Sequence, residues 1–131
     1  LFNKIDDVLT AVDAVSGIEY VADNVYTEIT SFGAFIIDEN VDVELEKLSV
    51  NGQIYNVRMV TDWYLHVVYA DYTKAQFKTL LENVIKALAA TSGFNYIKIV
   101  DMKLLTPYQI GSTKTRTAFG TVEFFSKESW V

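Results

Sequence analysis

Period-two alternation governs the middle of the chain. Val41, Val43 and Leu45 alternate with Asp42, Glu44 and Glu46, and Trp63, Leu65, Val67 and Tyr69 alternate with Tyr64, His66 and Val68. Successive side chains of a strand point to opposite faces, so this spacing suits half-buried β-strands. Between the two runs, Asn51-Gly52 supplies the pair of residues that a tight type I′ turn needs at positive φ. The stretch "VDVELEKLSVNGQIYNVRMV" is therefore expected to form a long β-hairpin with an acidic face on its first arm, and residues 62–70 a further strand.

Helical spacing appears twice. Phe2, Ile5, Val8, Leu9, Val12 and Val15 recur every three or four residues, with Asp6, Asp7 and Asp13 largely on the other side and Gly17 where a stop is expected. In "TKAQFKTLLENVIKALAATSG", Thr73 and Gln76 fit a capping box, Phe77, Leu80, Leu81, Val84, Ile85 and Leu88 form one stripe, and Gly93 can end the helix. "GIEYVADNVYTEI" and "FGAFIIDE" read as short β runs, with Ala34 to Ile37 apolar throughout and expected to be buried on both faces. "NYIKIVDMK" and "TRTAFGTVEFF" read as two closing strands, joined by "LLTPYQIGST", a connection long for a hairpin. The order predicts an α+β fold: a largely antiparallel, twisted sheet, two helices packed on one face, and a long β-hairpin. A chain of 131 residues can bury one self-sufficient core, so residues 1–131 are expected to form a single domain.

The chemical inventory is thin. With no Cys there is no thiolate nucleophile, disulfide or cysteine-based zinc site. Asp38, Asn40 and Asp42 match the first ligand positions of a calcium loop, but Val43 stands where that loop needs glycine and Ser49 where it needs glutamate. No metal or other cofactor is expected. The six glycines are isolated and form no phosphate cradle, and no G-x-S-x-G elbow occurs. His66, the single histidine, sits on the less apolar face of its strand with no partner suggested by the sequence, and is read as a structural or interface residue. No catalytic residue is assigned and no enzyme is expected.

No apolar run reaches the ~20 residues that cross a bilayer as a helix, and adjacent acids near residue 6 do not suit a signal peptide. No membrane association is expected, and a cytosolic origin is the default. The net charge of −6 divides unevenly: residues 1–50 hold two lysines against eleven acids, residues 51–131 nine basic residues against six acids. An acidic chain is poorly suited to wrapping nucleic acid. It is well suited to meeting another copy of itself through unlike patches.

The order of elements, from a short amphipathic helix through "AFIIDE", "VDVELEKLSVNGQIYNVRMV", "DWYLHVVYA" and "TKAQFKTLLENVIKAL" to "TRTAFGTVEFFSKE", resembles the tail terminator proteins of long-tailed bacteriophages. The resemblance spans nearly the whole chain and is one of layout and length. It implies a non-catalytic virion protein, made in the host cytoplasm, that forms a homo-oligomeric, six-fold ring. That ring would cap the tail tube protein, meet a head or neck connector protein, and let DNA pass through its channel without specific binding. A phage neck or head-to-tail joining protein is the nearest alternative, and a small-ligand-binding or enzymatic α+β domain is the alternative of another class. In a ring, one patch of each subunit meets a different patch of the next. The expected patches are Asp38, Glu39, Asp42, Glu44 and Glu46 on one side and Lys98, Lys103, Lys114 and Arg116 on the other, the acids serving either the interface or the channel. The hairpin tip at Asn51 and Gly52 is expected to lean on a neighbouring subunit.

Overall fold

A computed structural model describes residues 2–23, 33–48, 52–69, 72–110 and 113–130. Along the chain run helix α1 (Asn3–Asp13), strands β1 (Tyr20–Ala22), β2 (Gly33–Ile37), β3 (Asp42–Lys47) and β4 (Ile54–Tyr69), helix α2 (Lys74–Ala89), and strands β5 (Tyr96–Leu104), β6 (Tyr108–Ile110) and β7 (Thr113–Ser129). All seven strands join one open sheet in the order β1-β2-β4-β7-β5, with β3 beside β4 and β6 beside β7. Every pairing is antiparallel except β1 with β2. This is the α+β, mostly antiparallel arrangement that the sequence implies.

The spine is the pair β4–β7, in register from Ile54↔Ser129 to Tyr69↔Lys114. Two strands expected from the sequence, the second hairpin arm and residues 62–70, are one continuous strand. Thr61-Asp62 does not break the alternation: Val57, Met59, Thr61, Trp63, Leu65 and Val67 are all buried on one face. Such a long strand has room for two partners along one edge. β2 pairs with residues 63–67 of β4 and β3 with residues 55–60. The step from β2 to β3 is held by the Thr61 hydroxyl, which donates to the carbonyls of Asp38 (2.9 Å) and Asn40 (3.0 Å). Asp38 Oδ1 in turn accepts the Asn40 N–H at 2.9 Å, a local turn that Asx side chains favour.

Both helices cover the same sheet face. Ile5, Val8, Leu9 and Val12 of α1, and Phe77, Leu80, Leu81, Val84 and Leu88 of α2, share one core with Trp63, Leu65, Ala118, Val122 and Phe124. Each fully buried Leu, Phe or Val of this set stabilises the fold by roughly 1.5–3 kcal/mol. The capping box of α2 forms as its sequence predicts: Gln76 N–H donates to Thr73 Oγ1 and Thr73 N–H to the Gln76 side chain.

The segment expected as a long loop, "LLTPYQIGST", instead contains strand β6, which pairs Tyr108↔Thr115 and Ile110↔Thr113. Leu105 N–H already bonds the Thr117 carbonyl at 2.9 Å, so β5 and β6 follow β7 in succession, interrupted around Pro107, which has no N–H to give to a ladder. The hairpin register also differs from expectation. A two-residue turn centred on Asn51-Gly52 would set Lys47 opposite Asn56, whereas Lys47 pairs with Tyr55 and Leu48 N–H bonds the Ile54 carbonyl at 2.9 Å. Asn51 itself lies outside the described residues.

Candidate functional site: the uncovered sheet face and its edges

Among the described residues no helix covers the face of β3, β4, β7 and β5 that lies opposite α1 and α2, whereas on β2 the same side is closed, Ala34 and Ile36 being buried there. Strand alternation and register place Arg58, Val60, Tyr64 and His66 of β4 there, with Thr117, Phe119, Glu123 and Phe125 of β7, and Tyr96, Lys98 and Lys103 of β5. Asp42, Glu44 and Glu46 of β3 join the same face opposite Val60, Arg58 and Asn56.

Four charged side chains of alternating sign cross this face, one on each of four adjacent strands. Glu44 on β3 lies 3.3 Å from Arg58 on β4. Arg58 donates from Nε (2.7 Å) and from Nη2 to Glu123 Oε1 on β7. The other Glu123 oxygen is 4.0 Å from Lys98 Nζ on β5. Glu123 is sheltered, at 8% exposed, while Arg58 stays partly open, and the hydrogen bond to Glu123 holds the Arg58 guanidinium above its usual pKa. Buried carboxylates persist when such partners satisfy them. The two ends differ. Glu44 and Lys98 have side chains 74% and 60% exposed, so the ladder presents an acid at one edge of the sheet and a base at the opposite edge.

Two shallow depressions flank the ladder. One, of about 630 Å³, lies between Glu44, Glu46, Asn56 and Arg58 on one wall and Tyr96 and Phe125 on the other, whose rings stack at 4.1 Å. The other, of about 590 Å³, is lined by Tyr64, His66, Asp101, Lys103, Thr117 and Phe119 among others. His66 stacks near Tyr64 and its Nδ1 lies 3.1 Å from Thr117 Oγ1. Burial lowers its pKa, favouring the neutral ring. Among the described residues no carboxylate bonds the imidazole, so the hydroxyl–imidazole–carboxylate chain of nucleophilic catalysis is not assembled there.

The acidic candidates divide between a connection and a strand. Asp38 shapes the step from β2 to β3, exposed Glu39 sits beside it, and Asp42, Glu44 and Glu46 line β3. Gly52 precedes β4. The basic candidates do not form one patch. Lys98 and Lys103 belong to the open face, but Lys114 and Arg116 alternate onto the helix side, opposite Tyr69 and Val67. There Arg116 Nε donates to the Tyr72 carbonyl at 3.1 Å, and its guanidinium lies 5.3 Å from the Tyr69 ring centre. Sequence reasoning missed Arg58 and Glu123, the two central members of the ladder. Their signal was weak but present: each is a charge between two apolar neighbours, Val57 and Met59 or Val122 and Phe124, in the phase of the outward face.

No protein-family model matches this chain, and no curated protein matches it in sequence. Among solved structures it is similar to a chain in the virion of a native gene transfer agent particle, with 14% identity and a TM-score of 0.40, covering 95% of this chain and 90% of that one. A likeness of this degree assigns neither family nor role.

Proposed function

We propose that this chain is a structural subunit of a phage-type tail, a tail-terminator-like protein that assembles head to tail into a six-membered ring capping the tail tube. It has no catalytic task, and DNA passes through the ring without specific binding. One observation carries the reading. Strand β3 is exposed at all six residues, on both faces, although Val43 and Leu45 make it as amphipathic as a core strand. Exposed apolar positions on an ordered edge strand mark a contact surface. The acid and base at opposite edges of the open face favour unlike contacts over like ones, the condition for a heterologous ring.

Negative-stain microscopy and native mass measurement of the purified chain test this. Rings near six times 14.8 kDa, binding one end of isolated tail tubes, are the expected result. A chain that stays monomeric at every concentration, with and without tubes, overturns it.

A further inference from the structure

We propose that the outer edge of β3 pairs, antiparallel, with the outer edge of β5 of a second copy, so that one continuous sheet runs through successive subunits. The inference rests on the ring reading and names the surfaces that close it.

The backbone is already set for the pairing. Leu48 N–H bonds the Ile54 carbonyl, and hydrogen-bonded pairs recur at every second residue of an antiparallel ladder. Asp42, Glu44 and Glu46 thus direct their backbone groups toward β4, and Val43, Leu45 and Lys47 direct theirs outward. β3 has no proline, no bulge and no described strand beyond it; the edge guard it does carry is charge, in Asp42, Glu44, Glu46 and Lys47, which repels a like edge and admits one of opposite sign. At the far side of the sheet, β5 pairs, among the described residues, with β7 alone, and Tyr96–Val100 runs regularly until a bulge separates Val100 from Lys103. Because β3 and β5 run in opposite directions within one subunit, placing the β3 of one copy beside the β5 of the next keeps the sheet antiparallel.

Side chains select this partner over the alternatives. Two β3 edges brought together would set Asp42, Glu44 and Glu46 against the same acids, and directly opposed like charges destabilise a strand pair. Against β5, the acids meet Lys98 and Lys103 on the open face. On the helix side, exposed Val43 and Leu45 meet the row of Ile97, Ile99 and Leu104, the last 43% exposed. Apolar meets apolar on one face and acid meets base on the other.

Leu45→Pro is the sharpest probe. Its N–H points outward, so proline removes an intersubunit donor and leaves the β3–β4 ladder in place. The expected result is a folded monomer, melting near wild type, that forms no rings. Rings at wild-type yield overturn the proposal. If this variant unfolds, charge exchange decides. D42K/E46K and K98Q/K103E, the second chosen so that no like charge is set beside Glu123, should each raise the concentration needed for assembly by about tenfold or more. Mixed one to one, they should form rings in which the two variants alternate, visible by native mass spectrometry. Unimpaired assembly of either variant alone, or no recovery on mixing, refutes edge pairing. Absence of wild-type rings strikes the ring reading itself, whereas wild-type rings with indifferent variants strike only the choice of edges.

Discussion

Gly120 lies in the middle of β7, opposite Trp63, the largest fully buried side chain of the core. On its other side the β5 register skips: Val100 pairs with Thr121 and Lys103 with Phe119, so Asp101 and Met102 together oppose the single glycine. That is a β-bulge, and Asp101 takes a φ of 54° within it. A methyl group at Gly120 would sit 3.1 Å from Trp63 Nε1, 3.2 Å from Trp63 Cε2 and 3.2 Å from the Cα of Met102. Neither neighbour yields easily, one being a buried indole and the other backbone. Overpacking of this kind costs about 1–3 kcal/mol, while alanine narrows the unfolded ensemble and returns about 0.4–1 kcal/mol. Gly120→Ala should therefore destabilise the fold by about 1–2 kcal/mol, lowering Tm by roughly 4–8 °C for a chain of this length. Thermal melts followed by Trp fluorescence provide the assay, and W63F in the G120A background supplies the mechanism. If the indole is the obstacle, the double variant should lose less stability than the two single losses combined. A Gly120→Ala protein as stable as wild type, or strictly additive losses, would refute the argument from close approach.

His66 is held neutral by burial, with a pKa below its unfolded value of about 6.5. The unfolded chain therefore binds the additional proton as pH falls below about 6.5, and stability should fall with it, an effect absent above that pH. His66→Gln should flatten this part of a denaturation-versus-pH curve and leave assembly within a small factor of wild type; an unchanged slope, or loss of assembly in a folded variant, contradicts the structural role. Thr73→Ala removes the oxygen that caps α2 and should cost about 1 kcal/mol, or roughly 4 °C in Tm, with Thr73→Asp recovering most of it; a melt of the three proteins checks the order.

Much of this fold could be read from local pattern. The stripe and cap of α2 are set by neighbours within a few positions, and the alternation that sends Trp63, Leu65 and Val67 inward and His66 outward needs no distant information. The errors arose where local signals and pairing disagree. Thr61-Asp62 has the composition of a turn, yet Thr61 spends its hydroxyl on the Asp38 and Asn40 carbonyls and the strand runs through. Tyr108–Ile110 is too short to declare itself a strand, and only pairing with β7 makes it one. The basic candidates divide between two faces for a related reason: Lys98 and Arg116 look alike in a count of charge, but strand phase sends one to the open face and the other to Tyr69 and the Tyr72 carbonyl.

β3 marks the deeper limit. Its sequence, "DVELEK", alternates as cleanly as any buried strand, and alternation records only that one side of a strand favours an apolar neighbour. It cannot say whose chain supplies that neighbour. For Trp63 or Leu65 the helices of the same chain do; for Val43 and Leu45 none of the described residues covers the apolar side, and both remain at least one-third exposed. The same ambiguity applies to charge. Arg58 and Glu123 satisfy each other internally, whereas Glu44 and Lys98, built into the same ladder, end at opposite edges with most of their surface in water. A pattern that closes on itself at its centre and keeps exposed charge at both ends suits a repeating contact: each subunit can offer a second base to its neighbour's Glu44, already paired with Arg58, without disturbing the pair that holds its own sheet. Neutralising the ends, with Glu44→Gln and Lys98→Gln, should therefore weaken assembly while sparing the fold, and reversing charge at Arg58 or Glu123 should damage both.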